Sequence, residues 1–272
     1  MQKNKMQMQS IDNGLPVDTY GSVEQIIKTS SQQSPKAVVI TPTTGSNFLY
    51  QAIRSVLTQS MSDIIHLIVI DGAQHEAAVL KITSQFNSDR CKVITLPFNT
   101  GQGGMNGHRI YAAFPLLINA EYLFFLDEDN WWDEHHAESL ISLMEQTPLD
   151  WAYSMRKIYT FDGLYVADDN CESIGPYPPY SNIIKHWSSY IDTNCYAFKR
   201  TTIAQTAHYW YHPLRADRYF FEKLAAAFPD YLSSKEFSCN YRLKQNGPVS
   251  SDYIIEGNKY MRKRYGERLP WL

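Results

Sequence analysis

An α/β fold with a mostly parallel central sheet and helices on both faces is predicted by three features of the sequence. Short apolar runs rich in β-branched and aromatic residues recur along residues 36–130. Segments with helical spacing separate them, and each run ends in small or acidic polar residues. Strands alternating with helices at this spacing form βαβ units, whose crossovers demand a parallel sheet.

The elements follow in order. AVVIT (37–41) is a buried strand, and Phe48, Leu49, Ala52, Ile53, Val56 and Leu57 then repeat at helical spacing. IIHLIVI (64–70) is the second strand, ending at Asp71-Gly72. Residues 75–87 are expected to be a helix and KVITL (92–96) the third strand. A glycine-rich loop, NTGQGGMNG (99–107), leads into a helix over 108–119. YLFFL (122–126) is the fourth strand and stops at Asp127-Glu128-Asp129.

Beyond residue 130 the texture changes. Ala137, Leu140, Ile141 and Met144 mark a helix, WAYSM (151–155) a strand, and Asp162-Gly163 a hairpin turn. After a proline-rich loop (168–182), YIDTNCYAF (190–198) reads as a strand, ADRYFFEKLAAAF (216–228) as a helix and FSCNYRL (237–243) as the last strand. The expected organisation is a flexible arm over 1–35, a first half of one domain over 36–130, a second half of the same domain over 131–257, and a basic, aromatic tail over 258–272.

Bulk composition excludes several classes. The 272 residues are 44% hydrophobic and 19% charged with a formal net charge of −3, so a basic nucleic-acid footprint is not expected. No apolar run approaches the roughly 20 residues of a bilayer helix, and MQKNKMQMQS has no apolar core of a secretory signal. Four scattered cysteines without a CxxC pair read as reduced thiols, so a cytoplasmic location is expected.

Ligands of open α/β sheets bind beyond the carboxyl ends of the strands. The first candidates are therefore Thr41-Pro42-Thr43, Asp71, Asn99 with Gly101 and Gly104, and Asp127 with Asp129. Two carboxylates one residue apart suit a hard cation, Mg²⁺ or Mn²⁺, shared with substrate phosphates; the plainer alternative is an acidic helix cap. Asp71 could accept a hydrogen bond from a base N–H or a ribose hydroxyl, or simply form a turn before Gly72. The glycine-rich loop offers backbone N–H groups at a helix start, where anions are favoured.

These motifs carry a resemblance. AVVITPTTGSNFLYQAIRSVLTQSMSDIIHLIVIDGA (37–73), then NTGQGG, then LFFLDEDNWWDEHHAESL (as far as Leu140) occur in the order found in family 2 inverting glycosyltransferases. The resemblance spans about residues 37–140. It implies the GT-A fold, a nucleotide-diphospho-sugar donor (a UDP-sugar by family frequency) and Mn²⁺ or Mg²⁺, with 36–130 as the nucleotide-sugar-binding half and 131–257 as the acceptor-binding and catalytic half. Thr41, Pro42 and Thr43 would then line the nucleotide, and Asp71 would contact the base. Arg109 would lie near the ribose or diphosphate, with Glu128 in the same donor site. Asp127 would serve the ribose or the ion, and Asp129 would ligate the metal. The family's general base precedes a helix in the second half, which assigns it to Asp217, with Glu222 as a weaker alternative. His212 is the candidate extra metal ligand, beside His208 and His186. The acceptor, a glycan or lipid-linked saccharide of a bacterial surface polysaccharide, would meet Trp131, Trp132, Tyr180, Trp187, Asp192 and Asn194, because aromatic faces pack on sugars. The tail would touch an anionic membrane surface or strap the fold. A nucleotidyltransferase and a non-catalytic sugar-binding module are the alternatives.

Overall fold

The structure, a computed structural model, describes residues 34–180, 188–213 and 215–272, and residues 35–272 form one compact unit. The arm expected over 1–35 falls almost entirely outside the described residues, as do His186 and Trp187.

Four parallel strands carry the first half: β1 (Ala37–Thr43), β2 (Ile64–Ile70), β3 (Cys91–Thr95) and β4 (Tyr122–Phe125). Every residue of β1 is buried, as a strand covered on both faces and flanked by β2 and β4 requires. Helix α1 (Leu49–Leu57) turns Leu49, Ala52, Ile53 and Val56 inward. Register aligns Thr43 with Ile70 and Ile70 with Thr95, so the next residues of these strands emerge at one edge of the sheet. Leu126 N–H still donates to Ile40 (3.1 Å), which sets Asp127 at the same edge.

The second half extends the sheet with β5 (Trp131–Trp132), β6 (Trp151–Tyr159), β7 (Tyr165–Asp168), β8 (Tyr196–Lys199) and β9 (Tyr231–Arg242). The order is β3-β2-β1-β4-β8-β6-β9-β5, with β7 on β6. Strand β8 is antiparallel to both β4 and β6, whereas β6 and β9 are parallel. Every antiparallel pair involves a strand of this half. Helix α4 (His136–Gln146) buries Ala137, Leu140, Ile141 and Met144 as the spacing predicts, and the hairpin at Asp162-Gly163 joins β6 to β7.

Several boundaries shift for local reasons. The helix expected over 75–87 is a 3-10 turn (Ala73–His75) followed by α2 (Glu76–Thr83). The helix expected over 108–119 is α3 (His108–Ala113), which gives way to a 3-10 turn at Phe114–Leu116 where Pro115 lacks an N–H. Residues 190–195 are not strand, because Asp192 caps a 3-10 turn at Thr193–Cys195 through the Asn194 N–H. Helices α5 (Arg200–Thr206) and α6 (Ala216–Ala227) follow.

The C-terminal segment is packed structure rather than an appended tail. Ser250 caps helix α7 (Ser251–Tyr265), Met261, Leu269 and Trp271 are buried, and Trp271 Nε1–H donates to Asn170 (3.0 Å). Among the described residues, no helix is long and apolar enough to cross a membrane.

Candidate active site

A cleft of about 670 Å³ opens at the carboxyl edge of β1, β2 and β4 and is closed by the second half. From the first half it is lined by Pro42, Thr43, Asp71, Asn99, Gly101, Gly104, Asp127, Glu128 and Asp129, and from the second by Asp192, Asp217 and Lys244 among others. Strand-end positions far apart in sequence thus converge as the parallel topology requires.

The glycine-rich loop is held by Asp71, which accepts from the N–H groups of Thr100 (2.6 Å) and Gly101 (2.8 Å). Gly101 is obligatory there, since a Cβ would lie 2.5 Å from the Asn106 carbonyl oxygen. Asn99 Oδ1 and Thr100 Oγ1 are buried without a hydrogen-bond partner among the described residues. Orphan acceptors of this kind are what a ligand N–H or O–H would satisfy.

Glu128 turns toward the loop after β1. It accepts from Thr43 Oγ1–H (2.5 Å) and Ser46 N–H (2.9 Å), and more distantly from Thr44. Its carboxylate is therefore a brace between two cleft walls. Asp127 Oδ1 accepts from the Tyr111 hydroxyl (2.8 Å) and its Oδ2 from Asn194 Nδ2–H (3.1 Å). Burial raises the Asp127 carboxyl above the ordinary range, and the nearby anions of Asp129 and Asp192 raise it further. Burial raises Asp129 as well, against the opposing charge of Lys244. Two crowded carboxylates short of positive charge, with oxygen donors and room for further ligands, fit a hard divalent cation that keeps water or phosphate oxygens in its shell.

Asp217 lies in the first turn of α6, just after Arg215 in the left-handed region (φ 54°). Its Oδ1 accepts from the Arg218 N–H (2.8 Å). Burial raises its carboxyl, while Arg218 and His108 oppose the shift and Asp192 adds to it. Asp192 is neutralised in turn by Arg156 (2.5 Å), which also binds Asp169 (2.7 Å).

Seven expected positions are corrected. Thr41 does not line the cleft: it lies deeper in β1, and its hydroxyl pairs with His66 Nε2 (2.8 Å). Arg109 is rotated away from the face that carries His108 and Tyr111, and it donates to the Thr100 carbonyl (2.6 Å), bracing the loop from behind. The His212 ring stacks on Tyr219 (4.5 Å), and among the described residues it forms no ligand cluster with Asp127 and Asp129. Trp132 is core, stacked on His136 at 4.2 Å, with Nε1–H donating to the Asn194 carbonyl. Trp131 packs on Tyr159 and beneath Arg242. Tyr180 packs on Tyr253 and Tyr260 of α7, away from the cleft. Asn194 is fully buried behind Asp127 rather than exposed to an acceptor. Of the five acceptor candidates among the described residues, Asp192 lines the cleft; Trp187 lies outside the described residues.

His108, Tyr111, Tyr241 and Lys244 also line the cleft and were missed. Lys244 obeys the same strand-end logic as Asp71, since it follows β9. His108 and Tyr111 share one helix face by i, i+3 spacing.

A sequence model described as glycosyl transferase family 2 matches residues 38–205. An uncharacterized glycosyltransferase of Nostoc sp. is 29% identical over 141 residues, 52% of this chain and 41% of the relative. The chain thus spans less than half the length of that curated relative. The fold is shared with Staphylococcus aureus TarS 1–349 in complex with UDP-GlcNAc (TM-score 0.55, 14% identity, 84% of this chain, 65% of that one). It is shared also with the mannosyltransferase PcManGT of Pyrobaculum calidifontis in complex with GDP-Man and Mn²⁺ (TM-score 0.53, 10% identity, 86% of this chain, 61% of that one).

Proposed function

The chain belongs to glycosyl transferase family 2 and has the GT-A fold, and on that premise we propose that it is a metal-dependent inverting glycosyltransferase. The observation that carries the reading is the single cleft holding the Asp127–Asp129 pair, the glycine-rich loop and, from the second half, Asp217. The donor is a nucleotide-diphospho-sugar, with UDP as the first nucleotide to test. The acceptor is a glycan or lipid-linked saccharide of a bacterial surface polysaccharide.

Asn99 and the Asp71-held loop receive the nucleoside, and Pro42 and Thr43 form the opposite wall. Asp127 and Asp129 would hold Mn²⁺ or Mg²⁺, which would supply Lewis-acid stabilisation of the leaving diphosphate. Asp217 takes the acceptor hydroxyl proton as that oxygen bonds to C1 of the sugar. The C1–O bond to the diphosphate breaks on the opposite face, its electron pair leaves with the nucleoside diphosphate, and the anomeric centre inverts. The working location is cytoplasmic. Exposed Lys259, Arg262, Lys263, Arg264 and Arg268 give a peripheral contact with anionic lipid.

A thermal-shift panel of UDP-, GDP-, CDP- and dTDP-sugars with Mn²⁺ tests the reading. One nucleotide class should stabilise the protein, and the shift should vanish in Asp129→Ala. Stabilisation by free nucleoside triphosphates alone would favour a nucleotidyltransferase. No response to any nucleotide would favour a binding module.

A further inference from the structure

Resting on the metal-dependent reading above, we infer that Asn194 is a positioning residue that locks the Asp127 carboxylate in the orientation from which it serves the cation, and that the buried Asp192–Arg156 pair locks Asn194 in turn.

The contacts form one continuous chain. Asp127 N–H donates to Asn194 Oδ1 (2.5 Å), and Asn194 Nδ2–H donates to Asp127 Oδ2 (3.1 Å) and Asp192 Oδ1 (2.6 Å). Asp192 Oδ1 also accepts from the Asn194 N–H (3.0 Å), and its Oδ2 accepts from Arg156 Nη1–H (2.5 Å). Arg156 is fixed by Asp169, by the Tyr190 hydroxyl (3.0 Å) and by the Tyr241 ring beneath its guanidinium (4.4 Å). Asn194 and Arg156 are 0% and 3% exposed, so water does not compete for these bonds.

The amide orientation is forced rather than chosen. A backbone N–H can only donate, and the two carboxylates can only accept, so Oδ1 must face the Asp127 N–H and Nδ2 the two aspartates. One side chain thereby fixes both the backbone and the carboxylate of Asp127.

The choice of an amide has a chemical consequence. A cationic side chain in that position would orient Asp127 and neutralise it, competing with a metal. An amide orients it and leaves its negative charge for the ion. The cation of the chain, Arg156, is one step removed and neutralises Asp192 instead. Among the described residues each Asp127 oxygen accepts one bond, from Tyr111 or Asn194, which leaves an acceptor site on each for a metal. The link also joins the end of β4 to the 3-10 turn at Thr193–Cys195, so the metal-facing edge of the first half is aligned by a residue of the second.

The test is titration with Mn²⁺ alone, reading free Mn²⁺ by electron paramagnetic resonance, on wild type, Asn194→Ala, Asn194→Ser and Asp129→Ala. Partners of a metal ligand are commonly worth about 10- to 100-fold in affinity. Asn194→Ala should therefore weaken Mn²⁺ binding about 10-fold and raise the KM for Mn²⁺, leaving the donor KM at saturating Mn²⁺ within about two-fold. Asn194→Ser retains a polar group too short to bridge both aspartates. It should show the same weakening, and it serves if the alanine variant does not fold. Mn²⁺ affinity within two-fold of wild type in a folded Asn194 variant, whatever its melting temperature, would overturn the inference and leave the glycosyltransferase reading intact. Failure of wild type to bind Mn²⁺, or binding indifferent to Asp129→Ala, would overturn the metal reading and the inference with it.

Discussion

The two halves of residues 35–272 contribute to one cleft by different means. In the first half the cleft residues stand just past the ends of parallel strands: Thr43 after the apolar run of β1, Asp71 after β2, Asn99 beyond β3, Asp127 and Asp129 beyond β4. In the second half the sources are mixed, with Asp192 before a 3-10 turn, Asp217 in the first turn of α6, and Tyr241 and Lys244 at and just past the end of β9. Composition divides the same way. Of the 37 aromatic residues 27 follow Asp127, all six Trp among them. Yet Trp132, Trp151, Trp210 and Trp271 are each no more than 3% exposed. The first half offers polar groups on a buried parallel sheet. The second places most of its tryptophans in the core of a mixed sheet and reaches the cleft with Asp192, Asp217, Arg215, Lys244 and one aromatic ring, Tyr241.

The sharpest way to break this division is to remove the base proposed for the second half. Asp217→Asn should lower kcat by about 10²- to 10⁴-fold, the usual worth of a general base. Mn²⁺ and donor binding, the province of the first half, should stay within about two-fold. Wild-type turnover by Asp217→Asn would mean that the second half supplies no base. A pH profile sharpens the point. Burial raises the Asp217 carboxyl, and a base works only when ionised. The acid limb of kcat/KM should therefore lie above the ordinary carboxylate value of about 4.

Each half also contains a fully buried histidine whose proton affinity reports on its packing. His66 of β2 and His136 of α4 are fully buried and pushed down to about 3 by loss of hydration. Both are neutral when folded and return to about 6.5 when unfolded. Between those values the unfolded chain binds more protons, so stability is complete above pH 6.5 and falls as pH drops towards 3. At pH 5 the loss is about 2 kcal/mol for each histidine. Urea midpoints of wild type, His66→Gln and His136→Gln between pH 7.5 and 5 should show one histidine's share of the slope removed in each variant. A slope unchanged in one variant would mean that its histidine is already solvated in the native state.

The same contrast explains what could be read in advance. Asp71, Asn99, Asp127 and Asp129 were legible because a parallel strand delivers its next residue to a known edge, a rule that needs only local sequence. Lys244 obeys that rule and was reachable. Arg109 was misplaced because one step along a helix rotates a side chain by about 100°, enough to turn it from the cleft to the back of the loop. Asn194 was assigned to the acceptor because its true partner, Asp127, lies 67 residues away in sequence. No local pattern encodes that contact. Trp131, Trp132 and Tyr180 lie outside the cleft lining for a related reason: an aromatic ring serves a sugar face or a core equally well, and packing by distant elements decides between them.

Trp132 gives the smallest and most discriminating test. Its ring lies against His136 and Phe124, and its Nε1–H satisfies the buried Asn194 carbonyl. Trp132→Phe keeps an aromatic ring but leaves that carbonyl unpaired and a void where the second ring lay. Both effects together should cost about 1–2 kcal/mol, read as a lower urea midpoint. Because Trp132 does not line the cleft, the acceptor KM should stay within about two-fold. An acceptor KM that rises several-fold at unchanged stability would reverse the division drawn above, because the aromatic surplus of the second half would then touch substrate. A stability loss at constant KM means that acceptor recognition falls instead to the polar residues that reach the cleft, Asp192 first among them.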